Sequence, residues 1–312
     1  NAAPVTSNTV SLSENAAAEL TVTLTVTGDD SNFTIIGDNG VSTASNNGIT
    51  TVTIPAGQSS VDFTITPVDD AALDITPDIA TIVASATGAF DSAPADFQIT
   101  DDETGSVNLV INEILFDPNG PAADDTVDAN GDGTADPVDD EFVEIINQSG
   151  QSVDISFFTI ADGFGVRHVF PAGTILNEDQ AIVIFGGGSP TGSFGGAITQ
   201  TASDGQLGLN NSGDSVTIED ANPLGSSVIT AVDFAQLLTG DTAGDGESLV
   251  RSPDGSGSFV DHSAATDSGG NLVSPGSAVN GSTFPNFFPV PEPAFVGGLF
   301  GLLAMLIVAR KR

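Results

Sequence analysis

The chain contains no cysteine, no tryptophan and no tyrosine, a single methionine, and five basic residues against 42 acidic ones. Without cysteine, disulfides and thiolate-bound metals are excluded. The one lysine is Lys311, at the extreme C-terminal end, so the body of the protein has no lysine for a Schiff base, a phosphate loop or proton abstraction. The formal net charge of −37 over 312 residues repels the phosphates of nucleic acid and of anionic lipid, and no nucleic-acid partner is expected. Lack of Trp and Tyr removes the usual stacking platforms of a carbohydrate groove, a role that the 19 phenylalanines fill only in part.

Catalytic constellations are equally scarce. The two histidines, His168 and His262, give no His-x-x-x-His zinc site, and no Gly-x-Ser-x-Gly elbow occurs. His168 sits in Val166-Arg167-His168-Val169-Phe170 and reads as an ordinary strand residue. His262 follows Asp261, but neighbours on a strand point to opposite faces and orient each other poorly. Paired carboxylates of the glycosidase kind are found anywhere among 42 acids and so carry no signal. The expectation is a protein that is not an enzyme.

What is present is β-sheet material. The chain is 39% hydrophobic, and its length allows two domains. Alternating runs such as Leu20-Thr21-Val22-Thr23-Leu24-Thr25-Val26 and Val61-Asp62-Phe63-Thr64-Ile65-Thr66 have the period of half-buried antiparallel strands. Turn clusters separate them at Gly28–Asn32, Asp38–Gly40, Asn46–Gly48 and Pro55–Gly57. After an acidic hinge at Ile99–Gly105, strands are expected at Val107–Ile111, Phe142–Asn147, Val153–Ile160, Ala181–Phe185, Ser215–Ile218 and Val228–Phe234. This divides the chain into sandwich domains at 1–104 and 105–280, with a linker at 281–289. The stretch from Ala294 to Ala309 is apolar and uncharged and ends in Arg310-Lys311-Arg312, the pattern of a membrane-spanning helix with a cationic stop.

The sharpest local motif lies in an acidic insertion at 117–141. In Asp128-Ala129-Asn130-Gly131-Asp132-Gly133-Thr134-Ala135-Asp136-Pro137-Val138-Asp139, oxygen donors fall at loop positions 1, 3, 5, 9 and 12. Gly133 takes the sharp turn, and the Thr134 carbonyl serves at position 7. Ca²⁺ prefers six to eight hard oxygens in a flexible cage, and without an ion so many carboxylates repel one another. The flanking sequence is not helical, so the motif is an EF-hand-type loop without EF-hand helices.

Three resemblances extend this reading. Val290-Pro291-Glu292-Pro293, the apolar run and Arg310-Lys311-Arg312 together resemble the PEP-CTERM sorting signal of Gram-negative bacteria. That resemblance implies a secretory leader ahead of Asn1, an inner-membrane-anchored precursor, and processing near Pro291-Glu292-Pro293 by an exosortase. It further implies delivery to the cell surface or the extracellular matrix of an exopolysaccharide producer.

Residues 107–280 resemble a lamin-tail domain, an immunoglobulin-like sandwich. The carrying residues are Ile111-Asn112-Glu113-Ile114-Leu115, Phe142-Val143-Glu144-Ile145-Ile146-Asn147, Val153-Asp154-Ile155-Ser156 with Ile160-Ala161-Asp162, and Phe170-Pro171-Ala172-Gly173-Thr174. Leu249-Val250-Arg251-Ser252-Pro253-Asp254-Gly255 and Ser274-Pro275-Gly276 complete the set. Residues 9–103 more loosely resemble a Calx-beta domain through Glu14, Pro55-Ala56-Gly57-Gln58, Asp69, Asp70, Asp74, Asp101 and Asp102, with Glu103 behind them. In that family such acids converge at one end to bind calcium.

The expected fold is therefore all-β: two immunoglobulin-like β-sandwich domains in tandem plus a C-terminal hydrophobic helix. The expected role is that of an exported, non-catalytic surface or matrix protein stabilised by Ca²⁺, with exopolysaccharide or another matrix protein as the partner. An extracellular hydrolase of nuclease or phosphatase type, with the lamin-tail domain as its accessory module, is the alternative.

Overall fold

In a computed structural model of the chain the described residues are 6–28, 33–37, 42–44, 49–67, 72–74, 78–87, 90–91, 94–99, 103, 105–120, 126–221, 226–237, 246–284 and 306–311. They are all-β, with only single 3₁₀ turns between strands. The chain divides into two compact units: 1–71, 76–103 and 292–312 form the first, and 72–75 with 104–291 form the second.

The first unit contains β1 (Thr6–Leu12), β2 (Leu20–Gly28), β3 (Phe33–Gly37), β4 (Ser42–Ala44), β5 (Ile49–Ile54), β6 (Ser60–Pro67), β7 (Asp78–Ala86), β8 (Phe90–Asp91) and β9 (Ala95–Ile99). β1 pairs with β6 and β6 with β3, while β2 lies between β5 and β7. Alternation explains the burial: Val22, Leu24 and Val26 point into a core shared with Val10, Val52, Ile54, Phe63 and Ile82, and Thr21, Thr23 and Thr25 face away.

The second unit is built from β10 (Leu109–Leu115), β11 (Phe142–Asn147), β12 (Val153–Asp154), β13 (Thr159–Ala161), β14 (Val166–Val169), β15 (Ile175–Leu176) and β16 (Ala181–Phe185). It continues with β17 (Ile198–Thr201), β18 (Ser215–Asp220), β19 (Ser227–Asp233), β20 (Leu249–Ser252) and β21 (Ser258–Asp261). A six-stranded sheet in the order β17-β16-β11-β10-β20-β21 faces a four-stranded sheet in the order β14-β13-β18-β19 and the β12-β15 pair. Ile111, Ile114, Val143, Ile145, Ile182 and Ile184 from the first meet Ile160, Phe170, Val216, Ile218 and Phe234 from the others. Phe116 and Phe234 stack at 4.9 Å.

The six-stranded sheet is covered on both faces, so β11 and β16 are buried at every position instead of alternating. A register shift between Ile111 and Glu113 makes Asn112 a bulge, after which Ile114 and Phe116 return to the sandwich core. Segment 72–74 joins this unit by strand-like bonds, Leu73 N–H to Ser152 O at 2.8 Å and Asp154 N–H to Leu73 O at 3.2 Å, with Leu73 in the core.

Two expectations change. The strand expected over Val153–Ile160 is broken by a turn, because the Asp154 carboxylate accepts the Ser156 N–H at 2.7 Å and Phe157 adopts a φ of 63°. The C-terminal helix is not seen: Leu306–Lys311 forms a strand, β22, parallel to β1 and antiparallel to β8, while 285–305 lie outside the described residues. A short run rich in Ile and Val is ambiguous by periodicity, and an available ladder partner decides it. Among the described residues no helix is long and apolar enough to cross a membrane.

Candidate functional site

The acidic insertion is folded by its own side chains. Asp128 Oδ2 accepts the Gly133 N–H at 3.0 Å, Asn130 Oδ1 that of Asp132 at 2.9 Å, and Asp132 Oδ1 that of Thr134 at 2.9 Å. Asp136 Oδ1 takes the N–H groups of Val138 at 2.8 Å and Asp139 at 3.1 Å. Short Asp and Asn side chains favour such turns, and Gly131 and Gly133 supply the left-handed positions at φ 69° and 92°. Asp140, fully buried, ties the two arms together: Oδ1 accepts the Asn130 N–H and Oδ2 the Asp136 N–H, both at 2.8 Å. Burial pushes its carboxyl up, against the pull of those two N–H groups.

The loop rests on the Gly186–Gly188 run. Gly187 N–H donates to Asp139 O at 3.1 Å, Thr191 N–H to Asn130 O at 2.8 Å, and Ser189 N–H to Asp132 Oδ2 at 3.1 Å. A Cβ on Gly188 would stand 2.5 Å from Asn130 Nδ2 and 2.6 Å from Asp132 Oδ2, and one on Gly187 would strike the Asp139 carboxylate.

All six expected donors, Asp128, Asn130, Asp132, Thr134, Asp136 and Asp139, thus belong to one ordered loop. Burial raises the Asp139 carboxyl and the neighbouring Asp136 and Asp132 raise it further, so these three carboxylates lie within electrostatic range of one another. Among the described residues no group of three or more His, Asp or Glu is already gathered tightly enough to hold a metal. The hard-oxygen donor set fits calcium, and side-chain rotation within the loop would have to close the cage.

Few of the remaining expected site residues lie among those described. Glu14 is exposed in the bend after β1, in the first unit, and Asp74 belongs to the second. Asp69, Asp70, Asp101 and Asp102 lie outside the described residues, as do Pro291, Glu292, Pro293 and Arg312. The backbones of Arg310 and Lys311 pair with Asp91 and Phe90.

A second constellation is not anticipated by the sequence. Glu113 of β10 and Glu144 of β11 are directly opposed in register, and both are fully buried on the face of the six-stranded sheet that turns away from the sandwich core. Glu113 Oε1 accepts from the Ser248 hydroxyl at 2.6 Å and the Ser274 N–H at 2.8 Å, and Oε2 from the Ser274 hydroxyl at 2.7 Å. Glu144 accepts from Asn112 Nδ2 at 2.7 Å and the Gly276 N–H at 2.6 Å. Asn112 also accepts the Gly255 N–H at 2.7 Å and donates to Asp254 at 3.2 Å. His262, fully buried, places Nε2 2.9 Å from Ser274 Oγ and 4.0 Å from Glu113 Oε1, with Nδ1 2.9 Å from the Asn271 carbonyl. Burial raises the carboxyls of both Glu113 and Glu144, the second well above the usual range, with the Glu113 charge as a further cause.

The Ile-Asn-Glu-Ile-Leu and Phe-Val-Glu-Ile-Ile runs therefore meet as neighbouring strands, and the Asp254-Gly255 and Ser274-Pro275-Gly276 segments close on the acids they carry. Residues 102–235 match the family model of the Lamin Tail Domain. The lamin-tail match thus contains both glutamates, whereas β20, β21 and the Ser274 segment that bury them lie beyond it within the same unit.

Solved structures with some likeness include a DUF4876 family protein from Bacteroides thetaiotaomicron, at 13% identity, 70% of this chain, 68% of that one and a TM-score of 0.26. Others are the Pseudomonas aeruginosa CupB2 chaperone, at 9%, 75%, 92% and 0.23, and the BSP domain of a biofilm associated protein, at 10%, 75%, 29% and 0.18. No curated protein matches the chain.

Inside the lamin-tail region Glu141 accepts the N–H groups of Gly208 at 2.8 Å and Leu209 at 3.3 Å through Oε2. Burial pushes its carboxyl up to about 8. Arg167 bonds Asp162 at 2.7 Å and Asp204 at 3.1 Å. His168 is buried in β14 with Nε2 2.8 Å from Gln200 Oε1, and burial holds its imidazole toward the neutral form.

Proposed function

We propose that this is an exported, non-catalytic protein of the cell surface or extracellular matrix, in which calcium bound at 128–139 stiffens the lamin-tail unit. The observation that carries the reading is the packing of the acidic loop against Gly187 and Gly188, where any side chain would collide with Asn130, Asp132 or Asp139. Such a glycine cradle keeps Asp132 and Asp139 close together, an arrangement whose repulsion a divalent cation relieves.

The rest of the proposal follows from the sequence. Pro291-Glu292-Pro293 with the terminal Arg310-Lys311-Arg312 would serve as a PEP-CTERM signal, read by an exosortase at the inner membrane of a Gram-negative bacterium. The first unit would act as a Calx-beta-like sandwich, with Glu14, Asp69, Asp70, Asp101 and Asp102 as a second calcium set. Matrix exopolysaccharide or a matrix protein would be held through the ion. A hydrolase would require an accessible nucleophile, and the Ser274–His262 contact is enclosed: His262 is 0% and Ser274 6% exposed.

The test is thermal unfolding of the protein with millimolar calcium and with chelator. Binding to the folded state alone raises Tm with ligand concentration. The Asp128→Ala, Asp132→Ala double variant should lose most of that increment. Identical melting of the parent protein in calcium and in chelator would overturn the assignment.

A further inference from the structure

The buried cluster under β20 and β21 contains more hydrogen-bond contacts than its fully deprotonated form has protons for. His262 Nδ1 faces the Asn271 carbonyl at 2.9 Å, and a carbonyl only accepts, so Nδ1 carries a proton. Ser274 Oγ lies 2.7 Å from Glu113 Oε2 and 2.9 Å from His262 Nε2, and its hydroxyl has one proton to give. Both contacts are hydrogen bonds only if a further proton is present. Either Nε2 carries it, making an imidazolium that donates to Ser274 while Ser274 donates to Glu113, or Glu113 carries it and donates to Ser274 while Ser274 donates to Nε2. Remove that proton, and a carboxylate and an imidazole lone pair compete for one hydroxyl, both out of reach of water.

The charges around the cluster sharpen the requirement. Glu144 faces Glu113 from β11, and Asp254 approaches through Asn112 from the turn after β20. On β20 Arg251 gives its guanidinium protons to the carbonyls of Ile111 and Gly257 and lies over Phe259 at 4.4 Å, so it is not spent on either glutamate. Glu247 takes the Ser263 N–H beside His262, and Asp261 precedes His262 on β21. The 271–279 segment brings no charged side chain. His262 is thus the one basic side chain among these that reaches the pair of glutamates, its Nε2 4.0 Å from Glu113 Oε1.

We propose that segment 247–279 is a proton-held latch: the Glu113–Ser274–His262 relay keeps it closed over the six-stranded sheet while its shared proton is bound, and loss of that proton as pH rises opens it. The sign follows from linkage. The closed form binds a proton that the open form, with its solvated carboxylate and imidazole, releases more readily, so the added stability of closure is complete below the pH at which the open groups titrate and is lost as pH rises to the point where the closed relay itself gives up its proton. One proton makes the closing equilibrium fall about tenfold per pH unit between those two points. Release would uncover Glu113 and Glu144 and withdraw Leu249 from the sandwich core.

The experiment is hydrogen exchange on the full chain between pH 5 and 9.5, expressed as protection factors so that the intrinsic pH dependence of exchange cancels. Protection within 247–279 is expected to fall by up to about tenfold per pH unit until the closed relay has lost its proton and to level off above that, while β13 and β18 in the opposite sheet keep theirs. Uniform protection across that range, or a loss shared equally by β13 and β18, would overturn the latch. A second readout needs no variant: carbon-13 carboxyl spectra of Glu113 and nitrogen-15 spectra of His262 should together show one proton lost over the same pH interval as the exchange, and an ionised carboxylate beside a neutral ring from pH 5 upward would refute the shared proton. Glu113→Gln, whose amide oxygen can still accept from the Ser248 hydroxyl and the Ser274 N–H while its amide nitrogen donates to Ser274 Oγ without a titratable proton, should remove the pH dependence of protection. If that variant folds and loses protection over the same pH interval as the parent, the shared proton does not hold the latch and the proposal fails.

Discussion

Asn147, at the end of β11, does the work of several backbone partners. Its Nδ2 lies 2.8 Å from Gln151 O, 2.9 Å from Leu176 O and 3.0 Å from Asn177 O, and its Oδ1 accepts the Ser149 N–H at 2.9 Å. The residue is fully buried, so truncation leaves carbonyls and an N–H without water to replace the lost amide. Asn147→Ala should cost about 2–3 kcal/mol. In a unit of this size that corresponds to a drop of about 5–10 °C in melting temperature. Asn147→Asp should fare no better, because a carboxylate supplies no donor to those carbonyls. Scanning calorimetry checks both, and an alanine variant melting within a degree of the parent would contradict the assignment. The same scale explains why the buried glutamates are not legible in the sequence. With 42 acidic residues in the chain, Glu113 and Glu144 look like two more surface charges. The usable signal is local: each is a lone carboxylate inside a run of large apolar residues, a setting in which an acid is seldom exposed and needs partners.

At the level of elements, alternation locates the strands and turn chemistry sets their limits. Phe142–Asn147 and Ala181–Phe185 carry the expected bounds, because apolar content and flanking turns mark them whether one face or two are covered. The bulge at Asn112 and the break at Ser156–Phe157 leave no such mark, since each depends on a side chain bonding to backbone rather than on any hydrophobic period. Leu306–Lys311 reads as helix from the sequence because its partner, β1, lies about three hundred positions away. The acidic loop is legible as a donor pattern, whereas its glycine cradle across the Gly186–Gly188 turn is not. That cradle is testable: Gly188 has φ +72° and no room for a Cβ, so Gly188→Ala should strain the backbone and push Asn130 and Asp132 out of place. A loss of about 1–2 kcal/mol is expected, together with weaker calcium binding by calorimetry. An alanine variant with unchanged stability and unchanged calcium response would show the cradle to be dispensable.

For the whole molecule, charge decides what kind of attachment is feasible. If the tail is removed near Pro291, the cations left are Arg167 and Arg251, set against at least 41 of the 42 acids. Arg167 is already bonded to Asp162 and Asp204, and Arg251 to the carbonyls of Ile111 and Gly257. Neither is available to an anionic polymer. Long-range repulsion then opposes every encounter with an acidic polysaccharide, so adhesion requires a divalent bridge or a neutral or cationic partner. These alternatives separate in one extraction series. Chelator should release the protein from isolated matrix, and restored calcium should return it. Monovalent salt at equal ionic strength should release much less, because screening relaxes the repulsion while leaving a tightly coordinated bridge in place. Retention after exhaustive chelation would reject bridging and direct attention to an uncharged polymer or a basic protein.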